Sequence, residues 1–419
     1  MAILGLAFKS LLNRRVTVGL TVFAIGVSVM LVLGVERLRH DAKASFANTI
    51  SGTDLIVGAR SGSVQLLLYS VFRIGNATNN ISLQSYKDIA SRKEVAWTIP
   101  LSLGDSHRGY RVMGTTPDYF KYYRYGNGKL LAFVGGKPFE DVFDAVLGAD
   151  VAKTLGYKRG DHIVVAHGLG AEGFSKHDDK PFVVKGILEK SGTPVDHTVH
   201  VSLAGIEAIH IDWKGGARVP GMAVGTERIR QMNLQPKSIT AFLIGLKSRL
   251  AAFRLQRAIN DYKREPLLAA LPGVALQELW DLMGTAESAL AAISLFVVAT
   301  GLLGMLTMLL SGLNERRREI AILRAVGARL HHIFGMLVLE AGLIALAGAL
   351  LGLALLYIGL LIAEPFAAAE FGLTLGLGLP SMRDLALLGL IVAVGTIAGA
   401  IPAARAYRQS LADGMMVRV

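Results

Sequence analysis

The chain has 419 residues and a formal net charge of +12, with 52% hydrophobic and 18% charged residues. Its mean hydropathy of +0.46 excludes an ordinary soluble domain of this length. The positive charge alone could indicate a nucleic-acid partner, but the basic residues lie beside long apolar segments, as in membrane proteins. There is no cysteine, so no disulfide can stabilise a domain outside the cytoplasm.

Four segments are uncharged and reach the roughly 20 apolar residues that a spanning helix needs. They are residues 16–35, 288–313, 341–363 and 385–404. The first is predicted to remain as an anchor, because its apolar run is longer than that of a signal peptide and no small-residue cleavage site follows it. One span therefore precedes a polar middle region, and three follow it.

Basic residues flank these segments on one side of the membrane. They are Lys9, Arg14, Arg15, Arg316, Arg317, Arg318, Arg324, Arg329, Arg405, Arg408 and Arg418. The positive-inside rule then predicts a multi-pass protein of the cytoplasmic (inner) membrane, with both termini in the cytoplasm. The large middle region is accordingly predicted to be periplasmic or extracytoplasmic.

The predicted fold class is an α-helical membrane protein of four transmembrane helices with a large α+β extracytoplasmic domain of two subdomains. The predicted parts are a cytoplasmic interfacial helix (1–15), transmembrane helix 1 with the start of a stalk (16–39), the extracytoplasmic domain (40–284), transmembrane helix 2 (285–313), a cytoplasmic coupling helix (314–330), transmembrane helix 3 (331–363), an outside loop (364–384), transmembrane helix 4 (385–404) and a cytoplasmic tail (405–419).

Helix-like and strand-like stretches alternate inside the outside domain. The two flanks, about 52–118 and 219–270, each hold a helix beside strands, which predicts that they pair into one βαβ-rich part. The region between them, about 119–218, is predicted to be a β-rich insertion.

The stretch NERRREIAILRAVGA, residues 314–328, places charges with helical spacing at the edge of an apolar segment. Glu315 and Arg318 are three residues apart and can be neighbours on a helix. An apolar ridge that includes Ile320 would end at Gly327, a plausible helix stop. A basic anchor on anionic lipid explains the arginines but not the interleaved glutamates. We therefore interpret the stretch as a helix that docks on a partner.

Several stretches together resemble ABC transporter permeases of the macrolide-exporter and lipoprotein-releasing type, which share their outline with the cell-division FtsX proteins. The stretches are ERRREIAILRAVGA, VLGADVAKTLGYKRGDHIVV, the membrane entry LAFKSLLNRR and the exit PAARAYR. The resemblance implies a separated-subunit permease whose coupling residues contact an ATPase. By this resemblance the coupling residues are Glu315, Arg316, Glu319, Ile320, Leu323, Arg324 and Gly327.

The resemblance implies no catalytic residue and no cofactor in this chain, which is not expected to be an enzyme. The sequence has no phosphate loop of the form G-x-x-x-x-G-K-[ST], so ATP and magnesium are expected in a separate ABC ATPase subunit, present as a dimer. The other partners implied are a second permease copy or a paralogue, membrane lipid, and an extracytoplasmic carrier, adaptor or hydrolase. Nucleic acid is not among them.

The function that the resemblance implies is mechanotransmission, in which ATP hydrolysis in the partner moves the outside domain. The movement would export or release a lipoprotein, a peptide or an amphiphile. Two alternatives stay open: a mechanical regulator of an extracytoplasmic hydrolase, and a zinc-linked transport or handling module.

The stretch VQLLLYSVFRIG, residues 64–75, is unusually apolar for a segment outside the membrane. It could be core, or a surface that contacts lipid, a lipidated substrate or a partner. The candidate residues of such a surface are Leu66, Leu67, Leu68, Val71 and Phe72.

Six histidines fall between residues 162 and 210, with aspartates nearby, and both residue types suit zinc. The candidate ligands are His167, His177, His197 and His200. Surface histidines are the alternative, because the spacing fits no compact site. His197 and His200, three apart in a predicted strand, would lie on opposite faces.

Overall fold

The structure of the chain is a computed structural model. It describes residues 11, 14–167, 177–214, 217–218, 224–315, 320, 322, 324–371 and 378–408. The chain divides into two compact units. The span unit comprises Met1–Asp41, Gly284–Pro365 and Leu375–Val419, and the α/β unit comprises Ala42–Met283 and Phe366–Thr374.

The helices are α1 (Arg15–Thr49), α2 (Ser63–Leu67), α3 (Leu83–Ala90), α4 (Asp118–Tyr122), α5 (Ala149–Leu155), α6 (Leu203–His210), α7 (Thr226–Arg230), α8 (Ala252–Asn260), α9 (Pro272–Glu315), α10 (Leu330–Phe371), α11 (Met382–Ala398) and α12 (Ala400–Arg408). A π-helical turn, Leu68–Phe72, follows α2, and 3-10 turns occur at Pro194–His197 and Arg249–Ala251.

Within the described part of the chain, four helical stretches are long and apolar enough to cross a membrane. They are Arg15–Thr49, Pro272–Leu313, His331–Phe366 and Met382–Ala406. Together with the large α/β unit they confirm the predicted fold class.

Helix α9 is much longer than its apolar segment. Pro272 opens it, at a position where the missing N–H costs no helical hydrogen bond. Its 44 residues give a length of about 66 Å, roughly twice the hydrocarbon thickness of a bilayer. The helix therefore continues well outside the part that a membrane can cover.

Small residues let the helices of the span unit approach closely. A Cβ built on Gly352 of α10 would lie 2.6 Å from both the Gly26 carbonyl oxygen and the Val29 Cβ of α1. On α11, a Cβ on Gly395 would lie 2.7 Å from the Ala345 Cβ of α10. Such contacts bring backbones together where lipid provides no hydrophobic drive for association.

The strands of the α/β unit are β1 (Leu55–Ala59), β2 (Ile81–Ser82), β3 (Val95–His107), β4 (Tyr110–Thr115), β5 (Arg124–Tyr125), β6 (Lys129–Leu130), β7 (Phe133–Gly136), β8 (Asp144–Leu147), β9 (His162–Ile163), β10 (Ala166–His167), β11 (Phe182–Leu188), β12 (Thr198–Ser202), β13 (Trp213–Lys214), β14 (Ala217–Arg218), β15 (Ser238–Ile239), β16 (Ala241–Leu246) and β17 (Leu267–Ala270). The main sheet has the order β17-β1-β16-β3-β4-β12-β8-β11-β7, with β10 beside β3 and β9 beside β11.

The long strand β3 pairs with strands in both halves of this sheet. Its first half pairs with β16, and its second half pairs with β4 and β10. The register shifts between Leu103 and Asp105, and Gly104 between them has a φ of +151°, which makes a β-bulge. The insertion sheet therefore begins inside β3, earlier than the expected boundary near residue 119.

Successive side chains along a strand lie on opposite faces of the sheet and pack in separate apolar cores. Leu55 and Val57 of β1 enter a core with α8, while Ile56 between them enters a core on the other face. Val146 of β8 enters the same core as Ile56, and its neighbours enter the core of the insertion part. The two-residue period of a strand explains this division.

We expect Gly352→Leu to destabilise the span unit by about 1–3 kcal/mol, because overpacking would force α1 and α10 apart. The measurement is the temperature at which the purified full chain leaves its monodisperse peak in size-exclusion chromatography. Gly335→Leu, on the same helix, is the matched control, because a Cβ there has no atom within 4 Å. Equal losses in the two variants would contradict the packing argument.

Candidate functional site

Ile320, in the stretch predicted to couple to an ATPase, packs on the ends of α9 and α10 and on the short helix α12. Ile320 is only 7% exposed. The other buried members of its apolar cluster, the Ile320 cluster, belong to α9, α10 and α12: Leu313, Ile333, Leu337, Ala403 and Ala406. A displacement of Ile320 would thus act on all three helices. Arg316, Glu319 and Leu323 lie outside the described residues, and Glu315 is described only as the last residue of α9.

The other side of this stretch carries exposed apolar side chains. Ile322 and Val326 are 56% and 84% exposed. The Val326 N–H donates to the Ile322 carbonyl at 3.0 Å, so the two residues are one helical turn apart on one face. Gly327, with a φ of +99°, ends the turn, as expected for a glycine there. Arg324 is half-buried.

The predicted apolar ridge is corrected by this arrangement. Ile320 faces the helix ends, and Ile322 with Val326 forms the exposed apolar face. Residues two apart lie on roughly opposite sides of a helix, which explains why Ile320 and Ile322 differ. Sequence reasoning missed Ile322, although its four-residue spacing to Val326 was a usable signal.

Arg14, just before α1, ties this end of the span unit together. Its guanidinium donates to the Gly312 carbonyl of α9 at 3.0 Å. A Cβ on Gly312 would collide with the same guanidinium at 1.9 Å. The start of α1 and the end of α9 are therefore held side by side.

At the opposite end of the span unit, arginines and carboxylates join α1, α9 and α11. Arg39 of α1 lies 3.3 Å from Glu36 and 2.9 Å from Glu287 of α9. Arg37 of α1 lies 3.7 Å from Asp384 of α11. Single exposed ion pairs contribute little to stability, but here they join three helices.

A cavity of about 440 Å³ lies between α1, α9 and α11. Its lining is apolar apart from Ser294 and Glu36, and it includes Val298, Ala299 and Ile391. Its volume lies within the range of about 300–1,000 Å³ that is usual for small-ligand sites. Such a space suits the apolar part of an amphiphile.

Within the apolar stretch 64–75, the five candidate surface residues belong to the core. Leu66, Leu67, Val71 and Phe72 are at most 6% exposed, and Leu68 packs against the same core. The interpretation of these residues as a substrate or partner surface is therefore wrong for this structure, and the core alternative holds. The sheet supplies most of this core, and the ends of two long helices complete it.

Those two ends belong to α1 and α9. The Phe46 ring of α1 lies 4.2 Å from the Phe72 ring and 5.5 Å, edge-on, from the Trp280 ring of α9. Ala275 of α9 is fully buried in the same core. We call Phe46, Phe72 and Trp280 the stalk seat, because they fix both helix ends in the core of the α/β unit.

The four histidines predicted as metal ligands do not form one site. His200 is fully buried beside Tyr119 and Phe120, with its Nδ1 3.2 Å from the Val146 carbonyl oxygen. The Nε2 atom of His197 lies 3.1 Å from Asp150. These two histidines lie in separate surroundings, so they do not share a site as predicted.

His177 lies in other surroundings. It is fully buried, and its ring contacts those of Trp213 and His210. Of His167 the structure describes only the backbone, in β10. Among the described residues no group of three or more histidine, aspartate or glutamate side chains could hold a metal ion. The surface alternative is also wrong for His177 and His200, which are completely buried.

His200 is neutral at ordinary pH. Burial, and then the nearby Arg73 guanidinium, lower its pKa to about 3. A carbonyl oxygen only accepts, so the Nδ1–H donates to Val146. His107 in β3 is also buried, and burial lowers its pKa from the usual value. Both side chains belong to the folded core rather than to a reactive centre.

The chain matches two described protein families. Residues 18–240 match the MacB-like periplasmic core domain, and residues 291–411 match the FtsX-like permease C-terminal region. The first match alone covers more than half of the chain. The chain belongs to the MacB/FtsX-like ABC permeases. This confirms the resemblance, and it makes the protein a membrane protein with an extracytoplasmic domain.

Curated relatives of this MacB/FtsX-like permease are macrolide export ATP-binding/permease proteins. The one from Nitrobacter winogradskyi is 25% identical, over 96% of this chain and 58% of its own length. The one from Bdellovibrio bacteriovorus is 24% identical, over 83% of this chain and 52% of its own length. The chain thus spans between half and two thirds of these relatives.

A solved structure of the periplasmic region of MacB from Actinobacillus actinomycetemcomitans also aligns with this permease. The alignment covers 55% of this chain and 94% of that one, at 11% identity and a TM-score of 0.34. This similarity is too low to compare sites.

We expect the stability of the permease's α/β unit to fall as the pH drops below about 6.5. Below this pH His200 and His107 become protonated in the unfolded chain but stay neutral in the folded protein, because their pKa values are lowered there. The free energy of unfolding therefore falls by up to about 1.4 kcal/mol per pH unit for each histidine. Tryptophan fluorescence reports this melting, because Trp97, Trp213 and Trp280 all lie in the α/β unit.

The test compares melting temperatures at about pH 7.5 and about pH 5.5, on either side of the ordinary histidine pKa. His200→Gln should reduce the loss on acidification. His162→Gln, at an exposed histidine, should keep the full loss. An unchanged loss in His200→Gln would disprove the role of His200.

Proposed function

We propose that this permease is the membrane subunit of an ABC transporter in which a separate ATPase dimer, using ATP and magnesium, drives movement of the α/β unit. The movement exports or releases a lipoprotein, a peptide or an amphiphile. Two permease copies, or one copy and a paralogue, complete the complex. In this proposal the protein lies in the inner membrane with both termini in the cytoplasm, and the chain itself hydrolyses no ATP.

The observation that carries the proposal is the two-sided nature of the stretch around Ile320. One side packs into the Ile320 cluster, and the other exposes Ile322 and Val326. An exposed apolar pair beside arginines is a suitable docking face for another protein. A force applied to that face would reach α9, α10 and α12 through Ile320.

Helix α9 supplies a continuous path for this force. Leu313 near one end belongs to the Ile320 cluster, and Ala275 near the other is buried with the stalk seat. No proline interrupts the chain between them, and proline is the commonest cause of sharp kinks. The proposed stroke therefore needs no hinge within this helix.

The proposed complex needs an ATPase. The relatives are named ATP-binding/permease proteins, and this chain spans 58% of the length of the Nitrobacter winogradskyi protein. Its 419 residues contain no phosphate loop, the motif whose backbone amides and lysine hold the phosphates of ATP. In our proposal a partner subunit supplies the nucleotide-binding part.

The cavity between α1, α9 and α11 favours an amphiphile as the cargo. Along α9 it runs from Ala291 to Leu302, about 16 Å, which is close to the depth of one leaflet. Glu36 lines it and pairs with Arg39 and Arg383. An apolar tail in the cavity would leave its polar group beside these charges.

We expect Val326→Cys, labelled with a photoactivatable maleimide, to cross-link an ABC ATPase subunit in native membranes. The chain has no cysteine of its own, so the label is placed at a single residue. Leu250→Cys, 94% exposed in the α/β unit, is the control and should not cross-link this subunit. Equal cross-linking from both positions, or no nucleotide-binding subunit captured by Val326→Cys, would contradict the docking face.

We expect Ala299→Trp to abolish stimulation of the complex's ATPase activity by an amphiphile, because the larger side chain fills the cavity. The measurement is ATP hydrolysis by the reconstituted complex, with and without a lipopeptide. Thr300→Trp is the matched control, since the neighbouring residue does not line the cavity. Stimulation that survives Ala299→Trp, or that Thr300→Trp also removes, would count against this cargo site.

A further inference from the structure

Arg73 carries a guanidinium group that lies largely inside the α/β unit. The residue follows the π-helical turn Leu68–Phe72 with a φ of +62°, in the left-handed region that residues other than glycine rarely adopt. Its Nη2 atom lies 2.7 Å from the thioether sulfur of Met113 on β4. A thioether is a weak acceptor, so this contact compensates little of a buried positive charge. Strained backbone of this kind is common where proteins bind ligands.

The other nitrogens of this guanidinium have no acceptor within the described part of the chain. The Nε and Nη1 atoms of Arg73 are buried, and neither makes a hydrogen bond there. Asp196 is a carboxylate close enough to influence the Tyr119 hydroxyl, but its two oxygens accept from the backbone N–H groups of Ser191 and Gly192. Buried cations are usually paired or hydrogen-bonded, so Arg73 calls for an anionic partner.

A second guanidinium lies on the same face of the sheet. Arg111 precedes Met113 by two residues on β4, so the two side chains share a face. The Nη2 atom of Arg111 donates to the Gly75 carbonyl at 2.8 Å, and its Nη1 donates to Oδ1 of Asn76 at 3.3 Å. Burial, and then the Arg73 guanidinium, lower the pKa of Arg111 from its usual value. An anion near both groups would relieve their repulsion.

Two fully buried polar side chains complete the surroundings. The rings of Tyr119 and His200 have centroids 5.3 Å apart, and His200 pairs with Met113 in the register of β12 and β4. Burial raises the pKa of Tyr119 to about 12, so its hydroxyl keeps its proton and can donate. The Nε2 atom of neutral His200 can accept. Among the described residues, neither of these polar atoms has a hydrogen-bond partner of normal geometry.

We propose that Arg73, Arg111 and Tyr119 bind a phosphate-class oxyanion, with the Nε2 atom of His200 accepting from its O–H group. Guanidinium N–H groups match phosphate oxygens in geometry and charge. Monohydrogen phosphate, or a singly protonated phosphate monoester, offers acceptor oxygens together with one O–H donor. An ionised carboxylate offers acceptors only, so His200 favours phosphate over carboxylate.

The position of this site gives it access to solvent and to the stalk seat. Gly75 and Asn76, which Arg111 contacts, are exposed. Phe72 of the stalk seat directly precedes Arg73, so a bound anion would stabilise the turn that contacts the end of α1. The phosphate could belong to a free anion or to the headgroup of a lipid. The site does not rest on the proposed ATPase coupling.

The test follows the melting of the purified full chain by tryptophan fluorescence at about pH 7.5, where much of the phosphate is singly protonated. Sodium phosphate and dihexanoyl phosphatidic acid are titrated separately, with sodium chloride holding the ionic strength constant. Binding should raise the melting temperature of wild type until the site is saturated. A response to free phosphate supports a soluble anion as the ligand, and a response to phosphatidic acid alone supports a lipid headgroup.

Dihexanoyl phosphatidylcholine, whose phosphate has no O–H group, should leave the melting temperature unchanged. Arg73→Gln should weaken phosphate binding roughly tenfold or more, because it removes charged hydrogen bonds. Arg108→Gln is the matched control and should respond like wild type, since Arg108 also has a positive φ, +48°, but is exposed. If Arg73→Gln does not fold, Arg111→Gln, at a half-buried residue, should show the same weakening.

The site would be overturned by no rise in wild type with either ligand, or by an equal rise with phosphatidylcholine. An equal rise in the Arg73→Gln or Arg111→Gln variant would overturn it too, because general stabilisation by phosphate acts on all variants alike. An equal loss in Arg108→Gln would also contradict it. No ATPase partner is present in these measurements, so failure of this site and failure of the proposed function are distinguishable.

Discussion

The packing of Phe46 against Phe72 and Trp280 is the contact on which the use of the α/β unit depends. Helix α1 begins, and helix α9 ends, in an apolar segment that can cross a membrane. This contact packs the C-terminal end of α1 and the N-terminal end of α9 against the core of the α/β unit. Aromatic groups of this size bury large areas and pack with specific geometry. The helix ends are therefore part of the domain core and cannot slide over its surface.

The opposite end of α9 is also held by apolar packing, but between smaller side chains. Leu313 meets Ile320 and residues of α10 and α12, so the end of one long helix is packed against two others. Apolar contacts are non-directional, and a small cluster can be displaced as a body without breaking particular hydrogen bonds. This suits the movement that we propose for this part of the protein.

The sequence predicted the spans and the outside domain well, because a bilayer demands long uncharged runs and basic residues mark their ends. It predicted less well which side chains of a short apolar segment are buried by the rest of the fold. The run that includes Leu66 and Phe72 is apolar in either interpretation, and only its packing against the sheet and the helix ends shows that it is core. Ile320 and Ile322 are likewise both isoleucines, and packing alone distinguishes them.

The histidines were difficult to assign for a different reason. Asp105 and His167 are more than sixty residues apart in sequence and become neighbours only through the pairing of β3 with β10. His197 and His200, only three apart, end in separate surroundings because one closes a 3-10 turn and the other enters a strand. Proximity along the chain was therefore a poor guide to proximity in space.

The shared strand β3 has an evolutionary consequence. Within the sheet, the insertion strands join the rest of the α/β unit through the second half of β3, beyond the bulge at Gly104. Val146 of β8 also packs in the core that contains Ile56. The stalk seat and the flanking strands lie before that bulge or far from it in sequence. Insertion positions outside the shared core can thus change, and new ligands can be acquired, while the helix ends at the stalk seat stay under unchanged selection.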